Sequence, residues 1–268
     1  MAEQHILDRI AAATRRRLAE EMAAVPPAQL WRAARQQVEA TGDAGRRAFE
    51  AALARPGVSF ICEVKKASPS AGVIAHDFPY LRIADDYAAA GAAALSVLTE
   101  PDFFQGDPRY LSEIAAKVPL PALRKDFVVD PYQLYQSRLL GASAVLLIVA
   151  LLGDRLADYV LIADALGLAA LVEVHDEAET ELATAAGARV IGVNHRDLRT
   201  FTVDLGLSER LRPLIPEDVV LVAESGITTP ADVQRLRQIG VDAVLVGETL
   251  MKAADKAARL GELAGGSR

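Results

Sequence analysis

The stretch VSFICEVKKASPSAG, Val58 to Gly72, starts as an apolar strand and ends in a Ser-Pro-Ser-Ala-Gly turn. Side chains alternate along a strand, so Ser59, Ile61, Glu63 and Lys65 share one face while Phe60, Cys62 and Val64 share the other. Two charges on the face of Ile61 are costly if that face is buried. The turn that follows lacks the GxGxxG pattern that an open, doubly wound sheet usually carries after its first strand.

Toward the C-terminus one pattern repeats: a short β-branched or Leu-rich run, a polar loop, then a helical segment. Strands are expected at 58–65, 94–98, 120–125, 143–149, 168–174, 189–193, 218–223 and 242–246. Helices are expected at about 80–91, 108–117, 131–140, 154–166, 176–186, 205–211 and 229–239, with a last one after Gly247. Several of them end at glycine (Gly91, Gly141, Gly167, Gly187, Gly240), as left-handed C-terminal positions favour. Strict alternation implies parallel strands joined by helical crossovers, and near-continuous apolar strands imply that both sheet faces are covered. Eight such units leave no residues for a second domain, so residues 56–268 read as an α/β fold of the closed (β/α)8, TIM-barrel type.

Toward the N-terminus, Pro56-Gly57 separates the barrel from residues 1–55, which read as a helical extension. Ile6, Ile10 and Leu18 fall at helical spacing before Pro26-Pro27, and further helical pieces run from Gln29 to about Glu39 and from Asp43 to about Ala54. The extension is expected to pack on the barrel, within a single domain of 268 residues, as a lid over one end.

Hydrophobic residues make up 51% of the chain and charged residues 24%, the balance of a compact soluble protein. A net charge of −7 offers no basic footprint for nucleic acid. The longest apolar run, Ala144 to Leu152, is too short to span a bilayer, and the N-terminus lacks the apolar core of a secretory signal. A lone cysteine, Cys62, excludes a disulfide framework; a cytoplasmic protein is expected, as a monomer or weak homo-oligomer, with no membrane partner. His5, His76, His175 and His195 show no ligand spacing and none pairs with a cysteine, so neither a metal site nor another cofactor is expected.

Active sites of such barrels lie at the C-terminal strand ends. The last inward residues there are Glu63 and Lys65 on strand one, Lys125 on three, Glu173 on five, Asn194 on six with Arg196 just beyond, and Glu224 on seven. A structural ion network is the plainer reading of each residue alone. As a set they are costly, because desolvating each ion takes several kcal/mol, and such groups acquire pKa values suited to proton transfer. Ser225-Gly226 and Gly247-Glu248 occupy the usual phosphate position of these barrels, although turn formation would also account for the glycines. Ser68-Pro69 reads as part of a closing loop. Phe103-Phe104 and Phe127 could line an apolar pocket or simply pack. Cys62 points away from the barrel axis and reads as packing.

The motifs EVKKASPSAG, SVLTEPDFFQG, LRKDFVVDPYQ, LVEVHDE, IGVNHRDLRTF, VAESGI and VLVGETLM together resemble the indole-3-glycerol phosphate synthase family, from the extension to strand eight. Ala67 stands where relatives often carry a basic residue, and Glu248 where some carry Ser; position 248 would contribute a backbone N–H. The resemblance implies a phosphosugar–anthranilate substrate, 1-(2-carboxyphenylamino)-1-deoxyribulose 5-phosphate, converted without cofactor to indole-3-glycerol phosphate, CO2 and water. It implies Lys125 as the acid of ring closure, and Lys65 with Arg196 as the holders of the substrate carboxylate. Glu173 would donate the proton to the leaving hydroxyl, with Lys65 or Glu63 as base; Glu63, Asn194 and Glu224 would orient the lysines and sugar hydroxyls. Phosphoribosylanthranilate isomerase, a related barrel expected to use a Cys/Asp pair, and a non-catalytic phosphosugar-binding barrel are the alternatives.

Overall fold

The computed structural model describes residues 6–265; His5 lies outside the described residues. Eight parallel strands close into a barrel in which each pairs with the next and the last with the first. They are β1 (Ser59–Val64), β2 (Ala94–Leu98), β3 (Ala122–Lys125), β4 (Ala144–Ile148), β5 (Ala169–Val174), β6 (Val190–Asn194), β7 (Val220–Glu224) and β8 (Ala243–Val246). Closure is made by Ser59 beside Ala243 and Ile61 beside Leu245, which excludes the open sheet.

Alternation gives the barrel two cores. Phe60, Cys62 and Val64 join Leu95, Val97, Val145 and Leu147 in the layer between strands and helices. Ile61, Leu123, Leu146, Leu171 and Val222 fill the interior. Each such buried aliphatic side chain contributes roughly 1.5–3 kcal/mol.

The extension forms α1 (Ile6–Ala24), α2 (Pro27–Thr41) and α3 (Ala44–Leu53). Ile10, Thr14 and Leu18 recur at four-residue spacing on α1 and are buried. Pro27 opens α2, where a missing N–H does no harm. At its other end, the Arg138 guanidinium donates to the carbonyls of Gln37 and of the C-cap Gly42, supporting the last turn. α3 inserts Phe49 and Leu53 among Ile61, Ala94, Ala144 and Ala169, closing the barrel at the N-terminal strand ends. The Ser59 hydroxyl secures it by donating to the Ala52 carbonyl at 3.0 Å. At the opposite end, Ile6, Leu7 and Ile10 of α1 lean over the mouth. The lid expected from the sequence is therefore α1, while α3 stoppers the base.

Three local features differ from the sequence expectation. The apolar run from Ala144 leaves the sheet at Ile148, and Val149–Leu152 forms a helical turn ending at Gly153 with φ +51°. Hydrophobicity alone does not separate a buried strand from a buried helical turn. Pro101–Phe104 is a short helix, capped by the Glu100 carboxylate, which accepts the N–H groups of Asp102, Phe103 and Phe104 at 2.7–3.1 Å. The Ser-Pro-Ser turn is a small antiparallel hairpin pairing Ala67–Ser68 with Gly72–Val73.

Candidate active site

On β1, β3, β5 and β7, Ile61, Leu123, Leu171 and Val222 each lie two residues before Glu63, Lys125, Glu173 and Glu224. The pleat therefore stacks a tier of charge on a tier of hydrocarbon. Glu63, Glu173 and Glu224 are only 2–3% exposed. Lys125 Nζ lies 2.6 Å from Glu224 Oε2 and 3.1 Å from Glu173 Oε2. Lys65, just past the end of β1, pairs with Glu63. Glycines make the room: a Cβ at Gly192 on β6 would overlap Glu224 Oε1, and one at Gly247 would overlap Glu63 Oε1.

Above this tier is a cavity of about 670 Å³. All the site residues expected from the sequence line it, from Glu63, Lys65 and Ser68 on the first strand and loop to Gly247 and Glu248 after the last. Phe104 and Phe127 form an apolar wall with ring centroids 5.7 Å apart. Phe103 turns away, its ring under the Arg9 guanidinium of α1 at 5.7 Å. At the far side Ser225 adopts a left-handed backbone, φ +68°, and its hydroxyl donates to Asn194 Oδ1 at 2.8 Å. Strain of that kind persists only where the surroundings enforce it. His195 does so: one ring nitrogen meets the Ser225 carbonyl at 3.0 Å and the other meets Ser208 Oγ at 2.7 Å. Burial lowers the His195 pKa, so Nδ1–H donates to the carbonyl and Nε2 accepts from the hydroxyl. Arg196 Nη2 stands 3.9 Å from Glu248 Oε2, and Lys252 Nζ 2.6 Å from Glu248 Oε1.

A family model described as indole-3-glycerol phosphate synthase matches residues 7–263. The chain belongs to the indole-3-glycerol phosphate synthase family. Among its relatives, the indole-3-glycerol phosphate synthase of Ruminiclostridium cellulolyticum is 55% identical over 219 residues, 81% of this chain and 84% of that protein. That of Endomicrobium trichonymphae is 50% identical over 259 residues, 96% of this chain and 99% of that protein. Among solved structures, 3-hexulose-6-phosphate synthase from Salmonella typhimurium superposes with a TM-score of 0.64 at 15% identity, covering 78% of this chain and 97% of that one. A mutant tryptophan synthase alpha-subunit from Pyrococcus furiosus gives 0.60 at 14% identity, covering 77% and 98%. These two likenesses concern the fold alone.

In this member of the indole-3-glycerol phosphate synthase family three carboxylates crowd the Lys125 ammonium. Burial alone would push the Lys125 ammonium toward neutrality, but Glu224, Glu173 and Glu63 outweigh it and raise its pKa above the ordinary value. Burial likewise pushes the Glu173 carboxyl up, yet Lys125, His175 and Asn194 hold it well below the usual carboxylate range. Glu224 goes the other way: burial, with Glu173 and Glu63 adding to it against the pull of Lys125, lifts it to about 7. Its Oε1 is buried without a hydrogen-bond partner among the described residues. The thiol of Cys62, fully buried on the outer face, is pushed up by burial, which suits packing and not acid–base work.

Sequence reasoning missed the glycine clearances, the α1 residues at the roof, and His175. Gly192 carries no signal of its own, because the need for a missing side chain arises only once Glu224 is placed across from it. The histidine was visible in LVEVHDE, but strand alternation assigns no direction to a residue beyond the strand end. Among the described residues no cluster of three or more His, Cys, Asp or Glu is placed to hold a metal ion.

Proposed function

We propose that the mouth residues carry out the ring closure of this carboxy-lyase family in tryptophan biosynthesis, converting 1-(2-carboxyphenylamino)-1-deoxyribulose 5-phosphate to indole-3-glycerol phosphate. The observation that carries the reading is Lys125, a charged donor held between two carboxylates of opposite bias, beside the Phe104–Phe127 wall. The anthranilate ring lies against that wall. Lys125 gives its proton to the ribulose carbonyl oxygen as the carboxylated ring carbon attacks. Lys65 and Arg196 hold the carboxylate until CO2 leaves, and the electrons of the broken bond restore the aromatic ring. The protonated ring intermediate is itself the electron sink for this step.

Dehydration requires a donor to the hydroxyl and an acceptor for the ring proton. The sequence expectation made Glu173 the donor. Its ionised state suits the acceptor better, with Glu224, near half-protonated at neutrality, restoring the proton of Lys125 so that Lys125 serves as donor. Backbone N–H groups of Gly226 and Glu248, with Ser225, hold the phosphate, and Ser68 belongs to the hairpin that covers it. The protein acts as one unit with its extension, as a monomer or weak homo-oligomer in the cytoplasm, on a small molecule and not on nucleic acid. No described helix is long and apolar enough to cross a membrane.

The purified protein is expected to release indole product, followed by absorbance or fluorescence, without added metal or cofactor. Absence of product at high enzyme concentration overturns the reading.

A further inference from the structure

His175 follows β5 directly and stands between two carboxylates. Its Nδ1 is 3.1 Å from Glu179 Oε2, the same oxygen that accepts the His175 backbone N–H at 2.8 Å. On the other side, buried Nε2 makes no hydrogen bond among the described residues but stands 3.4 Å from Glu173 Oε1, within ion-pair distance. Glu179 is fixed by the start of the helix Glu177–Ala185, whose cap Asp176 accepts the Glu179 N–H at 2.9 Å. An imidazole with a carboxylate oxygen at each nitrogen needs an N–H at both, because the neutral ring would aim a lone pair at one of them. Burial opposes the charge, but Glu173 and Glu179 outweigh it and take the His175 pKa up to about 10.

The other oxygen of Glu173 meets Lys125 at 3.1 Å. Glu173 is thus gripped by one cation from β3 and one from the loop after β5. These two cations differ in what the reaction does to them. When Lys125 yields its proton, it stops neutralising Glu173, and the histidine is the charge still in contact with that carboxylate. The other charged groups facing the pair are Glu179 on the following helix and Glu224 on β7, both acidic, while Asp176 is turned to the helix N–H groups.

We propose that His175, braced by Glu179, is a positioning residue that holds Glu173 oriented and ionised as a proton acceptor while Lys125 is discharged. The proposal rests on the acceptor role given to Glu173 above. Replacing a residue that merely fills space beside β5 would not move the pH dependence of turnover, whereas replacing His175 is expected to.

The test uses the full chain and two variants, His175→Gln and Glu179→Gln. Nitrogen-15 spectra of the histidine rings at pH 8 are expected to show one doubly protonated ring, absent in His175→Gln. In His175→Gln, kcat is expected to fall by about tenfold or more, because buried Glu173 loses the charge beside its Oε1, with KM within about twofold. Its acid limb in the kcat–pH profile moves to higher pH as Glu173 becomes easier to protonate. In Glu179→Gln, His175 loses one of its two acids, so the alkaline limb moves to lower pH while the acid limb stays. A His175 ring that is neutral at pH 8, or a His175→Gln enzyme with the wild-type kcat and pH profile, overturns the proposal. Failure of the functional reading is separate: it shows as a wild-type protein without turnover, whatever the ring spectra.

Discussion

Arg124 and Lys125 are neighbours on β3, both buried or nearly so, and they point to opposite faces of the same sheet. Arg124 lies on the outer side with each of its nitrogens matched: Nε to Thr99 Oγ1 at 3.1 Å, Nη1 to the Gln133 carbonyl and Ser137 Oγ at 3.1 and 3.2 Å, Nη2 to Asp126 Oδ2 at 2.9 Å. Its acid, Asp126, also accepts from Thr99 at 2.6 Å and from the Phe127 N–H at 2.8 Å. Lys125 lies on the inner side as one ammonium among Glu224, Glu173 and Glu63. One network closes on itself; the other leaves Glu224 Oε1 unpartnered and pushes its proton affinities apart. Balanced burial of charge fixes the loop after β3, and unbalanced burial creates groups that hold and release protons at neutral pH.

The sharpest break between the two neighbours is in turnover. Lys125→Ala is expected to lower kcat by about 10³-fold or more, since it removes both the acid and the charge on the forming alkoxide, while substrate still quenches or shifts protein fluorescence on binding. Turnover within tenfold of wild type would remove Lys125 from the acid role. Arg124→Met should do the reverse: about 3 kcal/mol lost in urea denaturation, from leaving buried Asp126 with only the more distant Arg17 at 4.0 Å, with kcat near normal in the molecules that remain folded.

A subtler test concerns Glu224. A carboxyl raised from 4.5 to about 7 on folding binds its proton more tightly in the folded state. Its favourable contribution is complete below about pH 4.5 and is lost as pH rises through about 7. Glu224→Gln imitates the protonated form, so it is expected to stabilise the protein by about 1–3 kcal/mol at pH 8 and little at pH 5, with kcat down about 10²-fold. Equal effects on the unfolding midpoint at both pH values would show that Glu224 is ionised throughout. The smallest effect belongs to the outer face again: Cys62→Ala is expected to leave kcat within about twofold and cost about 1 kcal/mol of stability, measured by the same denaturation.

The contrast also explains what was legible in the chain. Period-2 alternation assigns a face to every residue inside a strand, so Ile61, Glu63, Lys125, Glu173 and Glu224 could be placed on the barrel axis before any coordinates. Glycine and proline marked where helices stopped. Legibility ended where direction is set by neighbours distant in sequence. Arg124 was passed over because its partners come from Thr99, Gln133 and Ser137, on three different segments. The donor role of Glu173 came with the family resemblance; the groups that lower its pKa, Lys125 and His175, reach it from β3 and from beyond β5, where its own strand gives no sign of them. The helical turn at Val149 was hidden inside an unbroken apolar run.

Phe49 and Leu53 plug the base of the barrel, and this has a bearing on traffic. At the other end, among the described residues, the cavity is bordered by Ile6, Leu7 and Ile10 of α1 and by Ser68 to Ser70 of the hairpin, and this is the side by which ligands pass. In the proposed reaction carbon dioxide is released first, past a phosphosugar held at Gly226 and Glu248. Indole-3-glycerol phosphate leaves last by the path its precursor used. Product and substrate therefore compete for the same passage as well as for the same site.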